Sequence, residues 1–369
     1  MLVLTRLTML FVQDKGEDNE NNVALPDSLV NSRENFNCAP MELIDVTNYG
    51  ALADGDVGSI ATERNDAAVH HALRIAKEKT HGLRVAQIYF PPGNGDGFYA
   101  LSGIRIEPDN QVILTGSPGI LASRIKIVSA ISTITGRKAG TYFANSMEPD
   151  LNHHSWSGIA NLGIVGGTKM DSLVEIETAH NAMTFGGIHL KGERDEHGPL
   201  VDYGLRVGTT GLSRFRINNF YSTGFGKFNF GFPRVSGTAH IEVSSGNVDV
   251  AIEGFADIHQ YKSGPTCVVL MNLRMECSAS NTVNSGYLIQ LSASSGANIR
   301  FYGCLVSGSR LNSLVYLRKG TPKSVRLFAD VTFSDGLDYW LRNEDISNSD
   351  NVRSEGGNKD TPKRVNIVD

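Results

Sequence analysis

The amino-acid sequence predicts an all-β chain wound into a right-handed parallel β-helix, a solenoid with one capping α-helix near its N-terminus. Three observations support this prediction. Short β-prone runs recur between glycines from residue 157 onward. Several of these runs contain a bend residue, at intervals typical of one solenoid coil. Near the N-terminus, residues 62–78 show the apolar periodicity of a helix.

Length and composition are those of a folded chain without a basic surface for nucleic acid. The 369 residues exceed what one ordinary core of about 150 residues needs, which favours an elongated repetitive domain or several domains. The formal net charge of −5 gives no basic footprint, so we expect no nucleic-acid partner. Four cysteines are too few for a disulfide scaffold, and Cys267, Cys277 and Cys304 are predicted to be buried free thiols.

The chain divides into an arm, a solenoid and a tail. Residues 1–40 are predicted to form an N-terminal arm or anchor, since residues 13–40 are polar and rich in turn formers. Arg6 interrupts the apolar start and no small-residue cleavage site follows, so no signal peptide is predicted. No segment approaches the roughly 20 apolar residues of a membrane span. Residues 41–335 are predicted to form the β-helix and residues 336–369 a C-terminal tail.

The predicted capping helix follows a short strand-like run and a glycine turn. Thr62 is a suitable N-cap because its hydroxyl can accept a hydrogen bond from the first turn. The helix is expected to bury a single apolar stripe, formed by Val69, Ala72, Leu73 and Ala76. Short strands are then expected near residues 87–90, 104–106 and 112–114.

Three segments at this end, Asn48–Gly55, Asn65–Leu73 and Ile88–Gly93, resemble the opening of the pectate-lyase-like superfamily of β-helix proteins. That opening runs strand, Gly-Ala-x-x-Asp-Gly, capped helix and a Tyr-Phe-Pro-x-Gly turn, and bacteriophage tailspikes share it. Here the usual paired aspartates before the helix are replaced by Arg64 and Asn65. The resemblance implies the fold, a polysaccharide ligand and a homotrimer, and it makes calcium a possible cofactor by analogy alone.

Five strand-like runs break the alternation of apolar residues at an Asn, Gly or Asp, the residues that best tolerate a left-handed backbone. A sharp bend is therefore predicted at each, with a weaker copy at Asn247. From residue 219 onward the intervals range from 25 to 31 residues, as in one solenoid coil. An antiparallel sandwich does not predict bends at this spacing. The five predicted bends are Asn161, Asn219, Asn272, Gly303 and Asp330.

If the bends stack, outward side chains of successive coils lie about 4.8 Å apart. Hydrolysis of a glycosidic bond needs two carboxyl groups. Asp249 and Glu276 are expected to lie diagonally, with roughly 8 Å between their backbones, within the inverting range. Elimination instead needs a base and a cation beside a sugar carboxylate, and Arg274 with Tyr221 or Lys262 is suitable. The predicted catalytic residues are Tyr221, Asp249, Arg274 and Glu276; an exposed salt-bridge ladder is the alternative.

A second polar set follows the Asp249 strand and is predicted to bind substrate from the rim of the groove. It comprises Asp257, His259, Tyr261 and Lys262, with a solvated turn as the alternative. The charged loop Glu193–His197 is either a solvated turn or a further contributor to the site. No zinc signature is present, and no metal site is predicted.

Together these features predict a polysaccharide-binding and polysaccharide-cleaving protein of the tailspike type, acting as lyase or hydrolase on a virion or outside the cell. One alternative is a non-catalytic virion spike or attachment protein that uses the β-helix as a rigid rod. Its N-terminal arm would then contact other virion proteins. A secreted cellular enzyme of the same superfamily is a third interpretation. The residues leave open the sugar, the reaction type and the oligomeric state.

Overall fold

A computed structural model defines the fold. The predicted arm at residues 1–40, Cys38, Lys262 and most of the predicted tail lie outside the residues that the structure describes. Those residues are 42–80, 85–119, 122–144, 157–179, 183–261, 266–277, 286–292, 296–308, 311–318, 325–334, 337–343, 352–355 and 365–367.

The N-terminal end of the solenoid is closed by helix α1 (Ser59–Thr80), as predicted. The helix begins three residues before the expected N-cap, because the Thr62 amide already donates to the Gly58 carbonyl at 3.0 Å and so belongs to the first turn. The predicted apolar stripe is buried, with Ala72 and Ala76 fully covered. No helix within the described ranges is long and apolar enough to span a bilayer.

The Asn65 side chain connects the helix to the first coil. Its side-chain oxygen accepts from the Leu52 amide at 2.8 Å, and its amide nitrogen donates to the Leu52 and Ala100 carbonyls at 3.2 and 3.3 Å. A neutral amide is suited to this place because a carboxylate cannot donate to two carbonyls. Asn65 is therefore fully buried with its polar atoms hydrogen-bonded.

The rest of the described chain is almost entirely parallel β-structure, as the sequence predicts. A short 3₁₀ turn (Val46–Tyr49) follows β1. The strands are β1 (Glu42–Asp45), β2 (Ala86–Phe90), β3 (Tyr99–Leu101), β4 (Ile104–Ile106), β5 (Val112–Gly116), β6 (Arg124–Ile127), β7 (Ile131–Ser132), β8 (Lys138–Phe143), β9 (Gly158–Ala160), β10 (Gly163–Gly166), β11 (Met170–Ala179), β12 (Thr184–Gly192), β13 (Arg194–Asp195), β14 (Gly198–Pro199), β15 (Val201–Thr223), β16 (Phe228–Asp249), β17 (Gly254–Gln260), β18 (Thr266–Met271), β19 (Arg274–Cys277), β20 (Tyr287–Ser292), β21 (Ala297–Gly308), β22 (Leu311–Leu317), β23 (Val325–Phe333), β24 (Leu337–Asn343), β25 (Val352–Glu355) and β26 (Val365–Ile367).

Each coil presents three strand faces. Face one precedes the bend, face two follows it, and face three leads to the next coil. Every face pairs in parallel with the same face of the neighbouring coil. In three successive coils, face one is 214–218, 240–244 and 266–271; face two is 220–223, 246–249 and 273–277; face three is 228–235, 254–260 and 287–292.

Phenylalanine rings fill the centre of the middle coils. Phe215 contacts Phe232 with 5.5 Å between ring centroids, and Phe230 contacts Phe255 at 5.2 Å. All four side chains are at most 2% exposed. Because each coil contributes rings to its neighbours, the core is continuous along the solenoid, as expected of a stacked repeat.

The predicted bends form a column of left-handed residues. Asn161, Asn219 and Asn272 have φ of 52°, 47° and 51°, and Gly303 has φ of 59°. The sequence does not identify the bend between Asn161 and Asn219. In the structure this bend is Gly187, with φ of 64°. Register pairs on either side of each corner stack these residues directly, so the column predicted from coil spacing is confirmed.

Two of the residues predicted as bends do not have a left-handed backbone. The corner expected at Asn247 is wrong by two residues, because Ser245 has the left-handed backbone (φ of 54°) and Asn247 does not. Asp330 is not left-handed; its Oδ2 instead accepts from the Gly303 amide at 3.0 Å. Serine is a less characteristic corner residue than asparagine, which explains the shifted assignment.

We expect Gly187→Ala to destabilise the protein by about 2 kcal/mol, measured as a lower urea midpoint. An alanine methyl would lie 2.3 Å from Asn161 Oδ1, on a backbone that alanine adopts reluctantly. Asn219→Gly is the matched control at the neighbouring corner and should change stability by less than about 1 kcal/mol. Equal effects of the two substitutions would contradict this account of the corner.

The last described strands continue the ladder into the predicted tail. β25 pairs with β23, and β26 pairs with β24, both in parallel. Cys277 and Cys304 are buried free thiols, as predicted, and burial raises the pKa of Cys277 to about 12. Cys267 is also free but only half-buried, because it points outward from face one.

Candidate functional site

The candidate site lies on face two, where side chains two and four residues after each corner point outward. The residues one and three after the corner are buried: Phe220 and Ser222 in one coil, Leu273 and Met275 in another. The outward residues form two rows along the solenoid. The first row is Arg124, Gly163, His189, Tyr221, Asn247, Arg274 and Leu305, and the second is Lys126, Val165, Lys191, Thr223, Asp249, Glu276 and Ser307.

The structure brings all four predicted catalytic residues onto this face but changes their register. Asp249 and Glu276 are direct partners on adjacent strands, not diagonal neighbours. Their backbones are therefore separated by one strand spacing of about 4.8 Å. Adjacent backbones favour the roughly 5–5.5 Å carboxyl separation of retaining hydrolases over the wider inverting separation. The expected diagonal was wrong because it rested on a corner at Asn247.

Two hydroxyl groups hold the Asp249 carboxylate. Tyr221 and Thr223, from the preceding coil, both donate to Oδ2, at 3.1 and 2.6 Å. The second carboxylate oxygen receives no hydrogen bond from a described residue and is left for another ligand. Burial, followed by the nearby charge of Asp249, raises the pKa of the Tyr221 phenol, so the phenol stays protonated and remains a hydrogen-bond donor.

His189 belongs to this site, although it was not predicted from the sequence. Its ring lies 4.9 Å from the Tyr221 ring, and its side chain is 8% exposed. Nε2 is buried without a hydrogen-bond partner among the described residues. Burial lowers the pKa of His189 to about 4, with smaller contributions from Lys191 and Arg124, so the ring is neutral at pH 7. The sequence analysis did not identify the corner at Gly187. With that corner assigned, His189 would have been recognised as the outward residue two positions after it.

Cations lie at both ends of the Tyr221–Asp249 pair. Lys191 is exposed one coil before Thr223, and Arg274 is exposed one coil after Asn247. Within the described ranges Arg274 forms no ion pair with Asp249 or Glu276, so the alternative of a salt-bridge ladder is not supported. These charges are therefore available to a ligand.

The second predicted set lies on face three, not on the rim of face two. Asp257 and His259 are in β17, with His259 Nε2 3.0 Å from Asp257 Oδ1, and Gln290 donates to the same oxygen at 2.9 Å. Tyr261 is 37% exposed, and the Arg234 guanidinium lies 4.6 Å from its ring centroid. No hydrogen bond or ion pair between described residues joins this set to Asp249. Lys262 lies outside the described residues.

The charged loop Glu193–His197 contributes one residue to the end of face two. Glu193 forms an ion pair with Lys126 at 2.7 Å. The rest of the loop forms a short hairpin in which β13 pairs with β14, and the Glu196 and His197 side chains are more than 80% exposed. Most of the loop is thus a solvated turn.

A buried carboxyl on face three is a further feature that sequence reasoning missed. Glu175 is fully buried, accepts from Ser172 at 2.5 Å and lies 3.3 Å from Arg206 and 3.8 Å from Arg137. Burial raises the pKa of Glu175, although Ser172 and both arginines act in the opposite direction. Its polar partners are all protein groups, so we regard the cluster as structural.

The described residues contain no group of three or more His, Cys, Asp and Glu side chains placed to hold a metal ion. We derive no step that depends on calcium.

Comparisons with known proteins identify the fold. No family model matches the chain. Histidine ammonia-lyase of Streptomyces coelicolor is 28% identical over 157 residues, which are 42% of this chain and 25% of that protein. The solved structure of Geobacillus virus E2 ORF18 matches 85% of this chain and 61% of its own, with a TM-score of 0.50 and 13% identity. The chain thus spans less than two thirds of both proteins. The match to ORF18 shows a shared β-helix fold.

Two further solved structures are similar at lower scores. The A-module of the Azotobacter vinelandii mannuronan C-5 epimerase AlgE6 has a TM-score of 0.42 and 13% identity, with coverage of 88% of this chain and 98% of that one. Tailspike protein 2 of the Escherichia coli O157:H7 bacteriophage CAB120 has a TM-score of 0.42 and 10% identity, with coverage of 89% and 42%.

Proposed function

We propose that this protein binds a polysaccharide along face two and cleaves its glycosidic bonds at the Tyr221–Asp249 pair. The observation that carries the proposal is the oriented Asp249 carboxylate, held on Oδ2 by two hydroxyls, while its other oxygen accepts no hydrogen bond from a described residue. Glu276 lies directly beside it on the next coil, and the His189 ring contacts the Tyr221 ring at a tilt. An acid, a base and cations on one extended face are what cleavage of a long glycan requires.

The register of the two carboxylates supports hydrolysis by double displacement. Asp249 attacks the anomeric carbon and forms a glycosyl ester, while Glu276 gives its proton to the departing glycosidic oxygen. Glu276 then takes a proton from water, whose oxygen displaces Asp249 and completes hydrolysis. Tyr221 and Thr223 hold the nucleophile in place throughout, which reduces the entropy lost in reaching the transition state.

Elimination is the competing chemistry on the same face. There the Asp249 carboxylate removes the proton next to a uronate carboxylate, while Lys191 or Arg274 pairs with that carboxylate. The glycosidic oxygen leaves with a proton donated by Tyr221, and a double bond forms in the sugar. This route applies only to an acidic polysaccharide, so the products decide between the two reactions.

We further propose that the protein is a homotrimeric virion component whose N-terminal arm contacts other virion proteins. The proposal is supported by the tailspike-like opening of the sequence and by the fold shared with a viral protein. Analytical ultracentrifugation of the full chain tests the trimer directly, since a monomeric mass would contradict it.

The function is tested by incubating the full chain with acidic and neutral polysaccharides and analysing the products by mass spectrometry. Oligosaccharides that carry an added water indicate hydrolysis, and unsaturated uronates with ultraviolet absorbance indicate elimination. Binding without any shortening of the polymer would replace the cleavage proposal with the non-catalytic attachment function. Neither binding nor cleavage across the panel would overturn both.

A further inference from the structure

Face one carries a basic surface that the candidate site does not use. Its outward positions on the coils between residues 214 and 330 hold four arginines and one histidine, but only two acidic residues. The chain as a whole has more acidic than basic residues. Positive charge is thus concentrated on one face of an acidic protein. The arginines are Arg214, Arg216, Arg300 and Arg326, the histidine is His240, and the acids are Glu242 and Asp330.

Three of the four arginines form no ion pair with a described residue. Arg216 pairs with Glu242 at 2.8 Å, and His240 lies 3.6 Å from the same carboxylate. Arg300 and Arg326 are exposed and form no ion pair with any described residue. Arg300 and Arg326 lie diagonally on neighbouring strands, where their like charges repel each other weakly, so this arrangement does not serve the stability of the sheet. An anionic ligand would relieve the repulsion.

Two aromatic rings lie beside these arginines, each two residues after one of them on the same strand. Arg300 pairs in register with Phe328, which is two residues after Arg326 on the next strand. Tyr302 follows Arg300 by two residues, and its ring centroid lies 5.1 Å from that of Phe328. Both rings are only partly buried. The four side chains therefore alternate cation and ring across two coils.

We propose that face one is a second, non-catalytic binding surface for an anionic polysaccharide, centred on Arg300, Arg326, Tyr302 and Phe328. The guanidinium groups bind carboxylates through paired hydrogen bonds, and the rings provide apolar contact for sugar faces. Identifying the polyanion as a glycan rests on the function proposed for face two. The surface would retain the polymer on the solenoid independently of turnover.

Binding is measured by calorimetry with polygalacturonate, hyaluronate and alginate, using dextran as the neutral polymer. An Asp249→Asn background prevents cleavage during the titration. The double variant Arg300→Gln/Arg326→Gln should weaken binding of the acidic polymers about a hundredfold, or about tenfold for each arginine. Binding by the unsubstituted face should weaken as salt is raised, because the contacts are exposed and ionic.

Arg74→Gln/Arg105→Gln is the matched control, since it removes two exposed arginines from other surfaces and should leave the affinity unchanged. Equal weakening in both double variants, or no binding of any acidic polymer, would overturn the proposal. Tighter binding of duplex DNA than of the polysaccharides would reassign the surface to nucleic acid. Cleavage is measured separately in protein that retains Asp249. Absence of the cleavage proposed for face two and absence of the binding proposed for face one are therefore distinguishable.

Discussion

Asp249→Asn should reduce polysaccharide cleavage about a thousandfold, on whichever polymer the product analysis identifies. The amide keeps an oxygen that can accept from Tyr221 and Thr223, so the site should stay assembled. It can neither attack a sugar carbon nor remove a proton, and both proposed reactions need one of these steps. The rate is measured as new chain ends per minute at saturating polymer.

Asp257→Asn is the matched control for this result. It makes the same chemical change one strand further along the chain, but the side chain lies on face three among His259 and Gln290. We expect the cleavage rate to stay within about twofold, since this residue does not touch the proposed site. Loss of activity in Asp257→Asn, with Asp249→Asn active, would move the catalytic centre to face three.

The second large effect concerns pH. The pKa of the His189 imidazole is about 4 in the folded chain and about 6.5 when unfolded. Above about pH 6.5 the ring is neutral in both states and contributes no pH dependence. As pH falls towards 4, the unfolded chain binds a proton that the folded chain does not, so the free energy of unfolding decreases. A shift of this size corresponds to about 3 kcal/mol across the window.

His189→Gln should remove this dependence. We expect the variant to lose about 3 kcal/mol less stability than the unsubstituted protein between about pH 7 and about pH 4, in urea unfolding followed by circular dichroism. His240→Gln, which replaces a partly exposed histidine beside Glu242, is the control. If it flattens the pH dependence as much as His189→Gln does, burial of His189 is not the cause.

The sequence was sufficient to predict the solenoid and the positions of most of its corners. Asparagine and glycine corners can be recognised because few residues adopt a left-handed backbone, and four of the predicted corners do so. Ser245 is a corner by virtue of its place in the stack and not of its own propensity, so local reasoning selected Asn247. An error of two residues changed the predicted carboxylate geometry from adjacent to diagonal.

The membership of the site was harder to predict than its location. Asp249 and Asp257 are eight residues apart, and nothing in their local sequence shows that the turn at residues 250–253 carries the chain onto another face. His189 was missed for a related reason. Its corner, Gly187, follows Gly186, and neither glycine looks like a bend within an apolar run. Both errors come from long-range register, which a single sequence does not contain.

The stacked corners also affect how such a surface can change in evolution. Every coil returns to the same corner, so a loop between two faces can grow or shrink without displacing the rows of outward side chains. The observed corner spacing already varies from 26 to 32 residues while strand pairing continues on both sides. Duplication of one whole coil would extend the surface by a single step and leave existing neighbours in place. Specificity can therefore be altered one side chain at a time, on a scaffold that tolerates the change.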